Sequence, residues 1–226
     1  MIKKARELVY EILRGENSGH GMDHIERVCI LTQKFANKQK CNKDRAMLIA
    51  LLHDVDDYKL FGADASKKLP NANKILDEIG VTAAEKEIIL GELGSIGFSK
   101  RLEGKAPSTT EGKMVSDADM CEAIGITGIL RSYKYNVKHG GSFFDRDVWP
   151  KEYKTAQEYR DSKVTTSVCH AFEKLLKLKN LMLTKPGKKE AKRRHNAMAQ
   201  LLYQFFDEQN APEWKNYLKD FLKKSH

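Results

Sequence analysis

A chain of 226 residues with 41% hydrophobic and 31% charged content can bury a substantial core, as one domain or one domain with an appended lobe. Its 40 Lys and Arg against 31 Asp and Glu leave a net charge of +9, which favours anionic partners such as nucleotides, other phosphate esters, nucleic acid or an acidic membrane surface. No run reaches membrane-spanning length, the four cysteines form no C-x-x-C pair, and Met1-Ile2-Lys3-Lys4 opens no secretory signal, so reduced thiols and a cytoplasmic location are expected.

β-Branched runs are few, while Ala, Leu, Glu, Lys and Gln recur at helical spacing; the expected fold class is all-α. Residues near 3–14 form an amphipathic helix with Ala5, Leu8, Val9, Ile12 and Leu13 on one face. Asp23 is expected to cap a second helix running to about residue 39, on which His24 shares a buried face with Val28, Leu31 and Phe35. Asn42 is the expected cap of a third helix, from about Lys43 to Asp57. Helices over 64–79 and 82–94 follow, with Pro70 inside the first and Gly80 between them. A polar stretch from Gly94 to Gly112 reads as a long loop, and a short helix carrying Asp117 and Asp119 comes next. Beyond a helix at 126–135 and an irregular stretch at 137–161, long helices are expected at 162–183 and 187–209, with a short one at 213–224. The whole chain, 1–226, is expected to count as a single domain, its helices from about 162 onward packing on the first lobe or covering its cleft.

The chemistry gathers where an apolar run, Ala46 to Leu52, ends in His53-Asp54-Val55-Asp56-Asp57. Burying one imidazole and three carboxylates is costly unless each is paired or bound to a cation. A water-activating metal needs imidazoles and carboxylates converging from different elements, and His24, His53, Asp54 and Asp119 supply two of each. Such a donor set suits Mn, Fe, Ni, Co or Zn better than an all-oxygen Mg or Ca site. Taken singly, His24 reads as a hydrogen-bonded core histidine and Asp119 as a cap or ion pair; the ordered set carries the signal. Asp57, three residues past Asp54, can reach the same side as an acceptor or proton relay, and His20 can shuttle a proton or orient substrate. Lys59, Lys100, Arg101, Arg131, Lys174 and Lys177 are candidate cations for a phosphate, each also readable as a solvated surface charge. His139 and His170 have weaker claims, and His195 and His226 read as surface. Tyr133, Tyr135, Phe143, Phe144 and Trp149 can stack on a base or simply pack.

The order H, HD, D resembles that of the HD-domain phosphohydrolases, at His24, His53-Asp54 and Asp119. The likeness extends over Asp23 to Val28, Leu52 to Lys59, Glu111 to Asp119, Ala123-Ile124-Gly125, Phe172 to Leu178 and Lys192-Arg193-Arg194. The closer likeness is to the bacterial small HD hydrolases linked to nucleotide pyrophosphohydrolysis. Both Asp117 and Asp119 are candidates for the last ligand, with the family's Ala-Asp step favouring Asp119. Met120 departs from the pattern, which commonly has a basic residue there. The resemblance implies a helical HD bundle with additional C-terminal helices and a divalent metal (Mn, Ni, Fe, Co, Zn or Mg). It also implies hydrolysis of a phosphoester or phosphoanhydride in a small phosphorylated substrate, a nucleotide above all. Cyclic-nucleotide or dinucleotide phosphodiesterase activity is the alternative within the fold. A basic helical nucleic-acid module using residues 185–194 is the alternative outside it, disfavoured by the lack of a recognised motif. A membrane partner is not expected, and a homodimer is left open.

Overall fold

The computed structural model describes residues 1–16, 21–153, 158 and 166–224, and among these every regular element is a helix. In chain order they are α1 (Ile2–Ile12), α2 (Met22–Ala36), α3 (Lys43–Leu52), α4 (Tyr58–Lys68), α5 (Pro70–Glu78), α6 (Ala83–Leu93), α7 (Phe98–Leu102) and α8 (Thr110–Glu122). Then come α9 (Gly125–Lys138), α10 (Ser167–Glu173), a 3-10 segment (Leu175–Leu181), α11 (Lys185–Glu208) and α12 (Pro212–Lys224). None of the helices is long and apolar enough to cross a membrane. Two compact units divide the chain, Met1–Asp119 and Met120–His226, with the division inside α8.

The first unit is organised around α3, which buries Ala46 and Leu48 to Leu52 and packs against α1, α2 and α6. Asn42 caps it as expected, its side chain accepting from the Arg45 amide at 3.1 Å. The helix nevertheless stops at Leu52, short of the expected Asp57. The acids beyond it leave to cap other helices: Asp57 accepts from the Lys59 amide at the start of α4, and Asp56 accepts from the amides of Asn71 and Ala72 at the start of α5.

Two other expectations are corrected here. Gly21, not Asp23, is the N-cap of α2, and the Glu16 carbonyl lies where any side chain at position 21 would go, which requires a glycine there. Asp23 sits in the first turn and accepts from Arg27 at 3.0 Å. The helix expected at 64–79 is two helices, broken at Leu69, which adopts a left-handed φ of 50°. Pro70 disfavours the α conformation in the residue before it and then opens α5 itself.

The core of the second unit is aromatic. Phe172, Phe206 and Trp214 are buried; Trp149 stacks on Trp214 at 4.2 Å, and Phe144 meets Phe205 and Trp214 edge-on. Phe143, Phe144 and Trp149 thus pack within this unit, and Arg146 accepts the Trp214 indole N–H through its carbonyl. The helix expected at 162–183 is, over its described residues, the short α10 and then the 3-10 segment. Three residues per turn bring Leu175 and Leu178, both buried, to one side of that segment. His195 is buried, not at the surface: Gly187, Ala191, His195, Met198, Leu202 and Phe206 form the inward face of α11. His226 lies outside the described residues.

Candidate metal centre

His24 enters from the first turn of α2 and His53 from the C-terminal end of α3, and their Nε2 atoms face each other at 3.2 Å. Asp54, on the turn after α3, brings Oδ2 to 3.5 Å from His24 Nε2 and 3.6 Å from His53 Nε2. Asp119, on α8, brings Oδ1 to 3.5 Å and 4.0 Å from the same two nitrogens. The imidazoles are buried, at 1% side-chain exposure each, while the carboxylates of Asp54 and Asp119 keep 12% and 24% and form the open side. That α3 stops at Leu52 matters here. Consecutive residues on a helix diverge by about 100°, and with His53 still in helical dihedrals (φ −62°, ψ −26°) as the C-cap, His53 and Asp54 both reach the site from the helix end.

The protonation pattern suits a cation. His53 Nδ1 lies 2.8 Å from the Ala50 carbonyl, a bond only a protonated Nδ1 can donate, so a neutral ring presents its Nε2 lone pair to the site. Burial works against the charged form of Asp119, yet the hydrogen bond from His24 and the neighbouring His53 and His24 hold its pKa below the usual carboxylate range, with Asp54 opposing them. Two inward-facing imidazole nitrogens and two carboxylates gathered in one place make a donor set suited to a cation. Donors about 2.1 Å from a shared ion sit about 3.0–3.4 Å apart; the two imidazole nitrogens, at 3.2 Å, fall in that range, and the carboxylate oxygens, at 3.5–4.0 Å from them, lie just outside it. Among the described residues, His24, His53 and Asp119 form a group whose donor atoms lie within 4.8 Å of one another and could hold an ion.

Between the two candidate aspartates, it is Asp119 that reaches the imidazoles. Asp117, two positions earlier and so about 200° around the helix, is fully buried. Asp57 engages the start of α4 through Oδ1, 2.9 Å from the Lys59 amide, and the Lys59 side chain is exposed. Lys100, half-buried, lies on α7 in the first unit. Arg131, Lys174 and Lys177 belong to the second unit, where Arg131 donates to the Glu122 carbonyl at 3.4 Å and the two lysines are half-buried near the 3-10 segment. His139, exposed, is stacked on Tyr135, and His20 lies outside the described residues. Sequence reasoning missed Asp56, which stands among the ligands in sequence yet is 4% exposed and serves α5. Its only local signal was the cost of burying a third acid.

Residues 21–124 match the HD domain family. The chain is 30% identical over 206 residues to YpgQ of Bacillus subtilis (strain 168), spanning 89% of this chain and 90% of that one. Among solved structures, a Lactobacillus plantarum protein superposes with a TM-score of 0.80 at 32% identity, over 93% of this chain and 97% of that one. An HD-superfamily hydrolase from Bacillus thuringiensis gives 0.71 at 33%, with the same coverage. The crystal structure of Bacillus subtilis YpgQ in complex with ADP gives 0.69 at 24%, over 92% and 97%. The chain therefore belongs to the HD-domain family. It is an HD-superfamily hydrolase and, in general terms, a metal-dependent phosphohydrolase.

Proposed function

We propose that this hydrolase acts on nucleoside triphosphates and releases pyrophosphate, with His24, His53, Asp54 and Asp119 as the ligands of a divalent ion. The observation that carries this reading is the pair of imidazole nitrogens 3.2 Å apart with two carboxylates beside them, one from the residue after His53 and one from α8. When bound, the ion supplies Lewis acidity toward a phosphoryl oxygen and a water acidic enough to attack near neutral pH. The protein holds what that chemistry needs. The Ala50 carbonyl keeps His53 in one tautomer, and the imidazoles beside Asp119 favour its carboxylate form. Lys59, Lys100, Arg131, Lys174 and Lys177 are proposed to meet the charge on the phosphates, Asp57 to accept or relay a proton, and His20 to carry one. The nucleotide assignment is supported by the net charge of +9, by the sequence resemblance to small HD hydrolases, and by the relative YpgQ having been crystallised with ADP.

The test is a panel of nucleoside triphosphates and generic phosphoesters with Mn-, Co- or Ni-loaded protein, phosphate and pyrophosphate being assayed separately. Pyrophosphate and nucleoside monophosphate in equal amounts are expected, and Asp54→Ala is expected to lose both metal and turnover. Phosphate as the sole inorganic product would overturn the bond assignment, and an Asp54→Ala protein with full activity would overturn the metal assignment.

A further inference from the structure

Besides Asp117, three acids of the first unit are buried without joining the donor set. Asp56 and Glu92 are each 4% exposed and Glu111 is 6% exposed. Each closes on the start of a helix other than its own. Asp56 takes the Asn71 amide on Oδ1 at 3.1 Å and the Ala72 amide on Oδ2 at 2.9 Å, at the start of α5. Glu92, on α6, takes the Ser108 amide, the Ser108 hydroxyl and the Thr109 amide on Oε1, at 3.2, 2.6 and 2.9 Å, just ahead of α8. Glu111, on α8, takes the amide of Asn42, the cap of α3, on Oε1 at 2.6 Å. Arg45 of α3 completes the circuit with a two-pronged bond to Glu85 of α6.

The helices tied in this way carry the ligands. α3 ends at His53, Asp56 pins the turn that holds Asp54, and α8 carries Asp119. A slip of one residue along α8 would move Asp119 by about 1.5 Å and turn it by about 100°, whereas metal–ligand distances tolerate about 0.2 Å. A carboxylate at a helix start is also favoured by the unpaired amides and the helix dipole there. We propose that Asp56, Glu92 and Glu111 are positioning residues for the metal centre, setting the register of α8 against α3 and anchoring the turn between His53 and Asp57. This rests on the reading that His24, His53, Asp54 and Asp119 bind an ion.

Asp56 and Glu111 differ in a way that makes the inference testable. Asp56 uses both oxygens, so an asparagine leaves one amide facing an amino group; Glu111 uses one oxygen, which a glutamine can reproduce. Cobalt(II) is titrated into the metal-free full chain and followed by its visible absorption, with folding checked by circular dichroism. Glu111→Ala and Asp56→Asn are expected to bind cobalt about tenfold more weakly or worse, with altered bands, and Glu111→Gln to stay within about twofold of the parent. Folded Glu111→Ala and Asp56→Asn proteins with the parent's affinity and spectrum would overturn the proposal. So would a Glu111→Gln protein as weak as Glu111→Ala. Should Glu111→Ala not fold, the contrast between Asp56→Asn and Glu111→Gln decides alone, and its absence overturns the proposal. Asp119→Ala separates the two levels. If it binds cobalt as the parent does, or if the parent binds none, the metal reading itself falls and takes this one with it.

Discussion

Adding one methyl group at Gly112 tests how firmly the start of α8 is held. In an open helix, glycine to alanine stabilises by up to about 1 kcal/mol. Gly91, in α6, is such a place, with nothing within 4 Å of an added Cβ. At Gly112 the same Cβ would stand 2.7 Å from Glu92 Cδ, nearer still to Oε2, and 3.0 Å from Pro107 Cβ. Glu92 cannot swing aside freely, because its other oxygen accepts three bonds of 2.6–3.2 Å. Making room means losing at least one hydrogen bond to a charged group, about 1.5–3 kcal/mol, on top of crowding that typically costs about 1–3 kcal/mol. Set against the helix gain, a net loss of about 1.5–5 kcal/mol is expected, or roughly 3–20 °C in Tm for a chain of this size. Gly91→Ala should instead gain up to about 1 kcal/mol, which is up to about 4 °C. Thermal and urea unfolding followed by circular dichroism measures both. In a Glu92→Ala background the Gly112→Ala step should become neutral or stabilising. A Gly112→Ala protein that melts at or above the parent would refute the close fit between Glu92 and α8.

Burial pushes the Cys29 thiol up to about 12, with Glu26 adding to it and Arg6 opposing, so at pH 8 about one molecule in 10⁴ carries the thiolate. Iodoacetamide under native conditions should therefore label the less buried Cys41 first, and peptide mass spectrometry showing Cys29 labelled as fast would contradict this. Glu85 has its pKa lowered chiefly by the Arg45 hydrogen bond, with burial opposing and the arginine charge assisting. Its stabilisation is thus complete above the ordinary glutamate pKa and is lost as pH falls through the lower folded value. Glu85→Gln should cost about 1 kcal/mol at pH 7 and flatten the acid side of the stability profile, whereas a parallel downward shift at every pH would argue against the ion pair.

Helix existence was readable wherever apolar spacing was regular, and capping chemistry placed Asn42 correctly because the acceptor and the amide it serves are three residues apart. Breaks were harder. The left-handed Leu69 follows from its proline neighbour, but the 64–79 periodicity ran straight through it. His195 was misjudged because its neighbours Lys192, Arg193 and Arg194 are charged, although the spacing from Gly187 to Phe206 puts it on the inward face. Histidine carries no hydropathy signal strong enough to outweigh three cations beside it.

At the site, the same limit separates what local sequence tells from what it does not. His53-Asp54-Val55-Asp56-Asp57 announces an imidazole and three carboxylates at the end of a buried helix, and that is enough to suggest a cation. It does not say which carboxylate serves the cation. Asp57 is claimed by an amide two residues on, Asp56 by amides at Asn71 and Ala72, and only Asp54 turns toward the imidazoles. The competition is settled by helix starts that lie beyond the motif, each offering unpaired amides to whichever acid the turn delivers. Asp119 was easier to find than Asp56 for the same reason. Its partners are the histidines themselves, whereas the partners of Asp56 are backbone groups that no residue type announces.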